Sequence, residues 1–204
     1  MGYRGLNMVR VALIDEITEK IVKGEAGLSD TGIYEIDNKA WGSKTANITG
    51  MNPNEQQVWG NNQLQTTLTS NIVKPQVALE VNNLPVEIQQ ALLNRIPDGN
   101  GGFKKDPDHK YHVALQVELM AANERDKAYF CFPNGVVEDG QGVNAATETE
   151  TPALLGDQLT FKAQSAQSLD GDTYRLFSSA AESFNEAKMN ELTFGGSKEI
   201  APKE

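Results

Sequence analysis

Tyr111-His112-Val113-Ala114-Leu115-Gln116-Val117-Glu118-Leu119-Met120 alternates with a period of two: Val113, Leu115, Val117 and Leu119 share one face, Ala114, Gln116, Glu118 and Met120 the other. That period marks an antiparallel strand with one buried face. Two further strands follow, Lys127-Ala128-Tyr129-Phe130-Cys131-Phe132 and Asp157-Gln158-Leu159-Thr160-Phe161-Lys162-Ala163-Gln164, the first closed by a Pro133-Asn134-Gly135 turn. The second face of the Tyr111 strand is almost free of groups that do chemistry. A sheet of this kind suggests a protein that works through its shape and surfaces.

Working outward, Gly140–Pro152 reads as a flexible loop or a weakly packed strand, and Asp170-Gly171, between Phe161–Ala163 and Tyr174–Phe177, as a hairpin signal. Ser183 three residues before Glu186 forms a capping box for a helix over 183–192, which Gly195-Gly196 stops. The charged tail 197–204 is expected to be mobile. Upstream, Leu6–Ile14 and Ile33–Ile36 read as strands. Gln63–Ser70 and Gln76–Val81 alternate as well, with Pro75 arguing against an uninterrupted central strand. A helix is expected over 85–95: Pro85 suits the first turn, Glu87 the positive helix end and Arg95 the negative one, while Ile88, Leu92 and Ile96 form a stripe.

Residues 37–62 are rich in Asn, Gln, Gly, Ser and Thr, with Trp41 and Trp59 standing out. So long a polar excursion is usually functional or ordered by a partner. It fits an extended hairpin whose indoles anchor onto something; the alternative is that both tuck into the domain's own core. The elements together predict a mainly β chain with minor α content. The fold expected is an antiparallel β-sandwich or split barrel, a single domain over 1–196 with a long polar hairpin and two short helices.

The chain has 204 residues, 39% hydrophobic and 7% aromatic, so its core is lean for its length. Its 28 acidic and 18 basic residues give a formal charge of −10, which opposes tight nucleic-acid binding but suits a surface that nucleic acid slides past. The one cysteine, Cys131, excludes an internal disulfide and a cysteine-based zinc site, and lies between two phenylalanines as a small buried hydrophobe. There is no signal-peptide pattern and no stretch apolar enough to span a membrane, so a soluble product of the cytoplasm is expected.

Chemistry-bearing constellations are few. Asp106-Pro107-Asp108-His109-Lys110-Tyr111-His112 carries both histidines, but Lys104, Lys105 and Lys110 interleave and discourage a cation, which leaves a solvated loop. Asp98-Gly99-Asn100-Gly101-Gly102 opens like a calcium loop, yet its sixth and twelfth positions are Phe103 and His109, so turn chemistry accounts for it. No nucleophile elbow, phosphate loop or dinucleotide fingerprint occurs. No enzymatic activity, metal or cofactor is expected.

The order of elements is more informative. Gly5–Ala12 opens as a glycine-led strand, and the polar excursion reaches Val58-Trp59-Gly60-Asn61-Asn62. Gln65–Thr69 is read as pairing with Val77–Val81, and Asn83-Leu84-Pro85 leads into a helix ending Ala91-Leu92-Leu93. The Val113 strand, Tyr129–Phe132 and Leu154–Ala163 complete the series. This arrangement resembles the major tail protein (tail tube protein) family of long, non-contractile-tailed bacteriophages of Gram-positive hosts, over about Gly5–Leu192. Many relatives carry an aspartate where this chain has Asn61-Asn62, and the immunoglobulin-like decoration domain of some relatives is not expected here.

The resemblance implies a virion protein, made in the host cytoplasm, that forms hexameric rings. These stack into a tube around a tape-measure protein, meet tail terminator or distal tail proteins, and pass DNA without binding it specifically. It implies an inert polar lumen, for which Gln63, Gln65, Thr67, Glu80 and Glu118 are the candidate residues, with Val77, Leu79 and Val81 packed inward against the 85–95 helix. Trp41 and Trp59 are the candidate inter-ring contacts. Two other classes stay open: a capsid decoration or head–tail joining protein, and a carbohydrate-binding β-sandwich using the two indoles.

Overall fold

The computed structural model describes residues 2–37, 41–53, 55–69, 73–139 and 156–195. The expected loop at 140–152 and the tail at 197–204 lie outside the described residues. The chain runs through β1 (Tyr3–Asp15), a one-turn 3-10 helix at Gly24–Ala26, β2 (Ile33–Glu35), β3 (Ser43–Thr49), β4 (Glu55–Gly60), β5 (Gln63–Thr69) and β6 (Gln76–Val81). Then come α1 (Val86–Leu92), β7 (Arg95–Pro97), β8 (Phe103–Lys105), β9 (Tyr111–Ala121), β10 (Lys127–Phe132), β11 (Gly135–Asp139), β12 (Asp157–Ala163), β13 (Arg175–Ser178) and α2 (Glu186–Phe194).

Two antiparallel sheets face each other. One has five strands in the order β13-β10-β9-β1-β2, the other four in the order β11-β12-β6-β3; β4-β5 and β7-β8 are separate ribbons. The expected sandwich is borne out, and it is open rather than a closed barrel. In the five-stranded sheet Val9, Val11 and Leu13 of β1 stand opposite Val117, Leu115 and Val113 of β9. Their side chains meet Val77, Leu79 and Val81 of β6 and Leu159 and Phe161 of β12 in one core, where Leu92 of α1 also packs. The Phe132 and Phe161 rings touch across it at 5.7 Å. The alternation in both partners explains the fold: each sheet has one continuous apolar face that only the other can cover.

The turn at Pro133-Asn134-Gly135 carries the chain from one sheet to the other. A Cβ on Gly135 would lie 2.3 Å from the Phe161 ring and 2.6 Å from the Lys162 carbonyl, so the strand crosses there only without a side chain.

Several expectations need correction. β9 is buried on both faces, because α2 docks on the outer one: Phe194 packs with Ala12, Ile14 and Ala114, and Met189 with Tyr129 and Cys131. That helix begins at Glu186, capped by Asn185, whose side chain accepts from the Lys188 N–H, and not by Ser183. The first helix ends at Leu92, and Asn94 (φ 56°) turns the chain into β7, so Ile96 and Arg95 are strand residues; Arg95 reaches back to Gln90 Oε1. β6 is an interior strand, with Pro75 just outside it. Asp170-Gly171 is not a hairpin, since β12 and β13 belong to different sheets; both residues adopt positive φ after a 3-10 turn. A dipeptide signal of this kind reports local turn geometry and not strand partners.

The largest correction concerns residues 37–69. β5 pairs with β4, whereas β6 pairs with β3 and β12. β3 and β6 thus form a hairpin with Thr49 opposite Gln76, and the β4-β5 ribbon is inserted between them. The backbone is pinched at its foot, where a Cβ on Gly50 (φ 71°) would lie 2.3 Å from the Lys74 carbonyl. The projecting arm is therefore centred on 55–69 rather than 37–62, because the residues of β3 are absorbed into the sheet.

Candidate functional surfaces: an arm and an open sheet

The arm closes on Asn61-Asn62, both with positive φ (51° and 61°), the geometry of a two-residue hairpin turn that asparagine tolerates. A register shift at Val58/Trp59 leaves Gln65 without a cross-strand partner. The Gln65 amide instead donates to the Gly60 carbonyl at 2.9 Å, tying the bulge to the turn. Val58 and Trp59, adjacent on β4, point to opposite sides, so Val58 near Leu68 marks one face and Trp59 opposite Leu64 the other. All four are exposed, Trp59 at 63%. An isolated two-stranded ribbon is marginal in water, and one bearing apolar groups on both faces is built to be covered.

Trp41 is also 63% exposed, so neither indole joins the chain's own core. It has φ 53°, and its carbonyl accepts from the Asn82 side chain at 2.9 Å. Ser43 pairs with Val81 at one end of β6, and Thr49 with Gln76 at the other. The two tryptophans thus belong to opposite ends of the four-stranded sheet and form no shared platform for a sugar.

Among the described residues that sheet is open on one side. Val77, Leu79, Val81, Leu159 and Phe161 face the core, while Gln76, Ala78, Glu80, Gln158, Thr160, Asn47 and Thr49 alternate outward. Its edge strands β3 and β11 each have one neighbour. Of the lumen candidates, only Glu80 lies on this face. Gln63 and Thr67 are exposed on the arm, and Gln65 is folded onto its turn. The alternation of 157–163 was visible in the sequence, but nothing local showed that β12, and not β5, lies beside β6.

Glu118 must be withdrawn from any channel wall: its side chain is 2% exposed. Lys127 Nζ lies 2.6 Å from one of its oxygens and Arg10 donates to the other at 2.9 Å, with Asn7 donating as well. Arg10 also donates to Glu35 at 2.7 Å and to Gln116 at 3.0 Å, and Gln116 donates to Asn190 of α2. The network stitches β2, β1, β9, β10 and α2 together. Burial pushes the Glu118 carboxyl up, but Lys127, Arg10 and Asn7 outweigh it and hold the group below its ordinary value. Lys127 is correspondingly raised, chiefly by Glu118.

Glu118→Gln is expected to cost about 1–3 kcal/mol at pH 7, since it leaves two cations around a neutral amide. A depressed carboxyl stabilises the fold above its unfolded value, near 4.3, and that gain is lost as pH falls through the folded value. The difference between the two proteins in urea titrations should therefore shrink progressively as pH falls below about 4; a difference that stays constant through acid would refute the role.

The remaining sequence candidates are structural. Asp98 accepts from the Asn100 and Gly102 N–H groups, and Asp106 from those of Asp108 and His109. His109 stacks on Tyr111. His112 is buried, not solvated, with Nδ1 2.7 Å from the Asn134 side-chain oxygen. No group of three potential metal ligands occurs among the described residues. Cys131 is buried and its thiol pushed up to about 11 by desolvation. No helix among the described residues is long and apolar enough to cross a membrane.

An uncovered polar sheet with free edges, beside a projecting arm, is the geometry of an assembling subunit. The family model for phage tail tube protein matches residues 1–202. The chain belongs to the phage tail tube protein family. A comparison with curated proteins finds no match. As a member of the family the protein is a structural subunit of the bacteriophage tail tube and a component of the virion, and the decoration and carbohydrate-binding readings are not favoured.

Proposed function

We propose that the outward face of β11-β12-β6-β3 is the wall of the DNA conduit. The observation that carries this reading is the asymmetry of the sandwich: the five-stranded sheet is covered on both faces, whereas among the described residues the four-stranded one is covered on its inner face alone. Exposed edges are a liability unless something pairs with them. Pairing β11 of one copy with β3 of the next makes a continuous barrel and removes every such edge from the wall. With the six copies that the family resemblance implies, four strands each at about 4.8 Å close a circle roughly 37 Å across, widened further by strand tilt. That is wide enough for a duplex, and for a tape-measure protein before it.

Strands in a barrel lean about 35–45° from its axis, so the two ends of β6 face neighbouring rings. Trp41 at one end and the arm at the other are the inter-ring contacts in this reading. A seven-residue strand extends about 23 Å, enough for the arm to leave its own ring. Gln63 and Thr67 act there as arm contacts, and Glu80 remains in the wall. The domain is taken as 1–196, and the ends of the tube meet tail terminator and distal tail proteins. A siphophage of a Gram-positive host is the source that the resemblance suggests, and the role is non-enzymatic.

Electron microscopy of the concentrated protein is expected to show tubes, and tryptophan emission should shift to shorter wavelength as they form, because both indoles leave water. Discrete trimers, or tubes with unshifted emission, would contradict the arrangement.

A further inference from the structure

The strands of the outward face of the four-stranded sheet carry two lysines among their described residues, Lys44 on β3 and Lys162 on β12; Lys74, at the foot of the arm beside Gln76, lies just outside them. Each strand lysine is engaged by a glutamate of the adjacent strand: Lys44 Nζ lies 2.6 Å from Glu80 Oε1, and Lys162 Nζ 2.6 Å from Glu138 Oε2. The rest of the face is uncharged: Thr45, Asn47, Thr49, Gln76, Ala78, Val136, Gln158 and Thr160. In a chain of net charge −10 the described strand residues of this face sum to neutral, with each of these two strand lysines matched by a glutamate across one strand spacing. Exposed pairs of this kind contribute about 0–1 kcal/mol, so stability does not account for them.

We infer that Glu80 and Glu138 are covers: they hold Lys44 and Lys162 in cross-strand pairs so that the strands of the wall present no free ammonium to passing phosphate. The inference rests on the wall assignment above and changes its chemistry. DNA slides not because the wall repels it but because neither sign of charge is left unmatched. A strongly acidic wall would instead hold the counterions of both surfaces in a narrow space; a paired wall offers neither attraction nor repulsion. Without its covers, each ring of a six-copy tube would expose about twelve ammonium groups, ample for counterion-release binding.

The test uses assembled tubes, a short fluorescent DNA duplex as probe, and sedimentation. Tubes of Glu80→Gln/Glu138→Gln are expected to retain at least about tenfold more duplex than tubes of the parent, and that binding should fall by roughly a hundredfold or more between 50 and 200 mM salt. Adding Lys44→Gln and Lys162→Gln should abolish the acquired binding. The single glutamine variants, each expected to retain an intermediate amount, serve if the double variant does not assemble. A separate reporter, Thr160→Cys, tests the wall assignment itself. A bulky polyethylene-glycol maleimide should label the introduced thiol in free subunits but not in tubes, while a small maleimide labels it in both. Labelling of tubes by the bulky reagent overturns the wall assignment and the covers with it. Protection of the introduced thiol together with unchanged duplex retention in the glutamine variants overturns the covers alone.

Discussion

Replacing residues 51–74 by an Asn-Gly turn is expected to leave a folded monomer that forms no tubes at any concentration. The excision is feasible because the arm is an insertion in a hairpin that is already closed. Thr49 pairs with Gln76 and the Gly50 and Lys74 backbones nearly touch, so a two-residue turn spans the gap. The excised stretch contributes little to the core: Met51 at its foot packs partly buried against it, no other described residue of the stretch does, and the apolar side chains of the arm, Val58, Trp59, Leu64 and Leu68, are all exposed. Urea stability should therefore change by less than about 1 kcal/mol, since removal of exposed groups away from the core is nearly neutral. Assembly should vanish, because the arm carries a separate apolar patch on each face and both are lost. Tubes of normal length from the excised protein would sink the assignment of the arm to inter-ring contact. A weaker form, Trp59→Ser, removes the indole from one face and leaves Leu64 and the opposite face in place, and is expected to raise the concentration needed for tubes.

Phe161→Ala is expected to cost about 3–5 kcal/mol, the range for deleting a buried aromatic whose surroundings cannot collapse into the space. Its ring is fully buried, contacts Phe132 at 5.7 Å, and lies under the bare backbone of Gly135. The neighbouring backbone belongs to paired strands of both sheets and cannot follow the missing ring. Such a loss is a large share of a typical stability of about 5–15 kcal/mol. Leu176→Ala, at a position 48% exposed, should change stability by less than about 0.5 kcal/mol and serves as the control. Equal effects at the two positions would mean that the interface between the sheets is not the core.

The two predictions separate what the chain uses to fold from what it uses to assemble, and the sequence revealed the two parts unequally. The strands of β1, β9, β10 and β12 were legible because each alternates strongly, and alternation is local. Their division into two sheets was not. Asp170-Gly171 resembles a hairpin turn although its flanking strands lie in different sheets, and Gln63–Thr69 alternates as well next to β6 as it does next to β4. Alternation sets which side of a strand is apolar and says nothing about its neighbours. Nor could it show that β9 is covered twice, since Gln116 and Glu118 look like surface residues until Asn190, Arg10 and Lys127 are brought over them.

The surfaces follow the same division. Overall acidity and two conspicuous tryptophans in a polar stretch are compositional facts, whereas the resemblance to the right family rests on the order of the elements. The neutral, paired character of the open sheet was hidden, because Lys44 and Glu80 are thirty-six residues apart and meet only through register. The alternating strands from Tyr111 to Ala163 by themselves establish an antiparallel β protein without reactive chemistry, because side-chain period is a property of the chain alone. Strand partners, the foot of the arm and the matching of Lys44 and Lys162 by glutamates depend on residues distant in sequence. Only packing of the two sheets, which selects one register among many that alternation permits, brings those residues together.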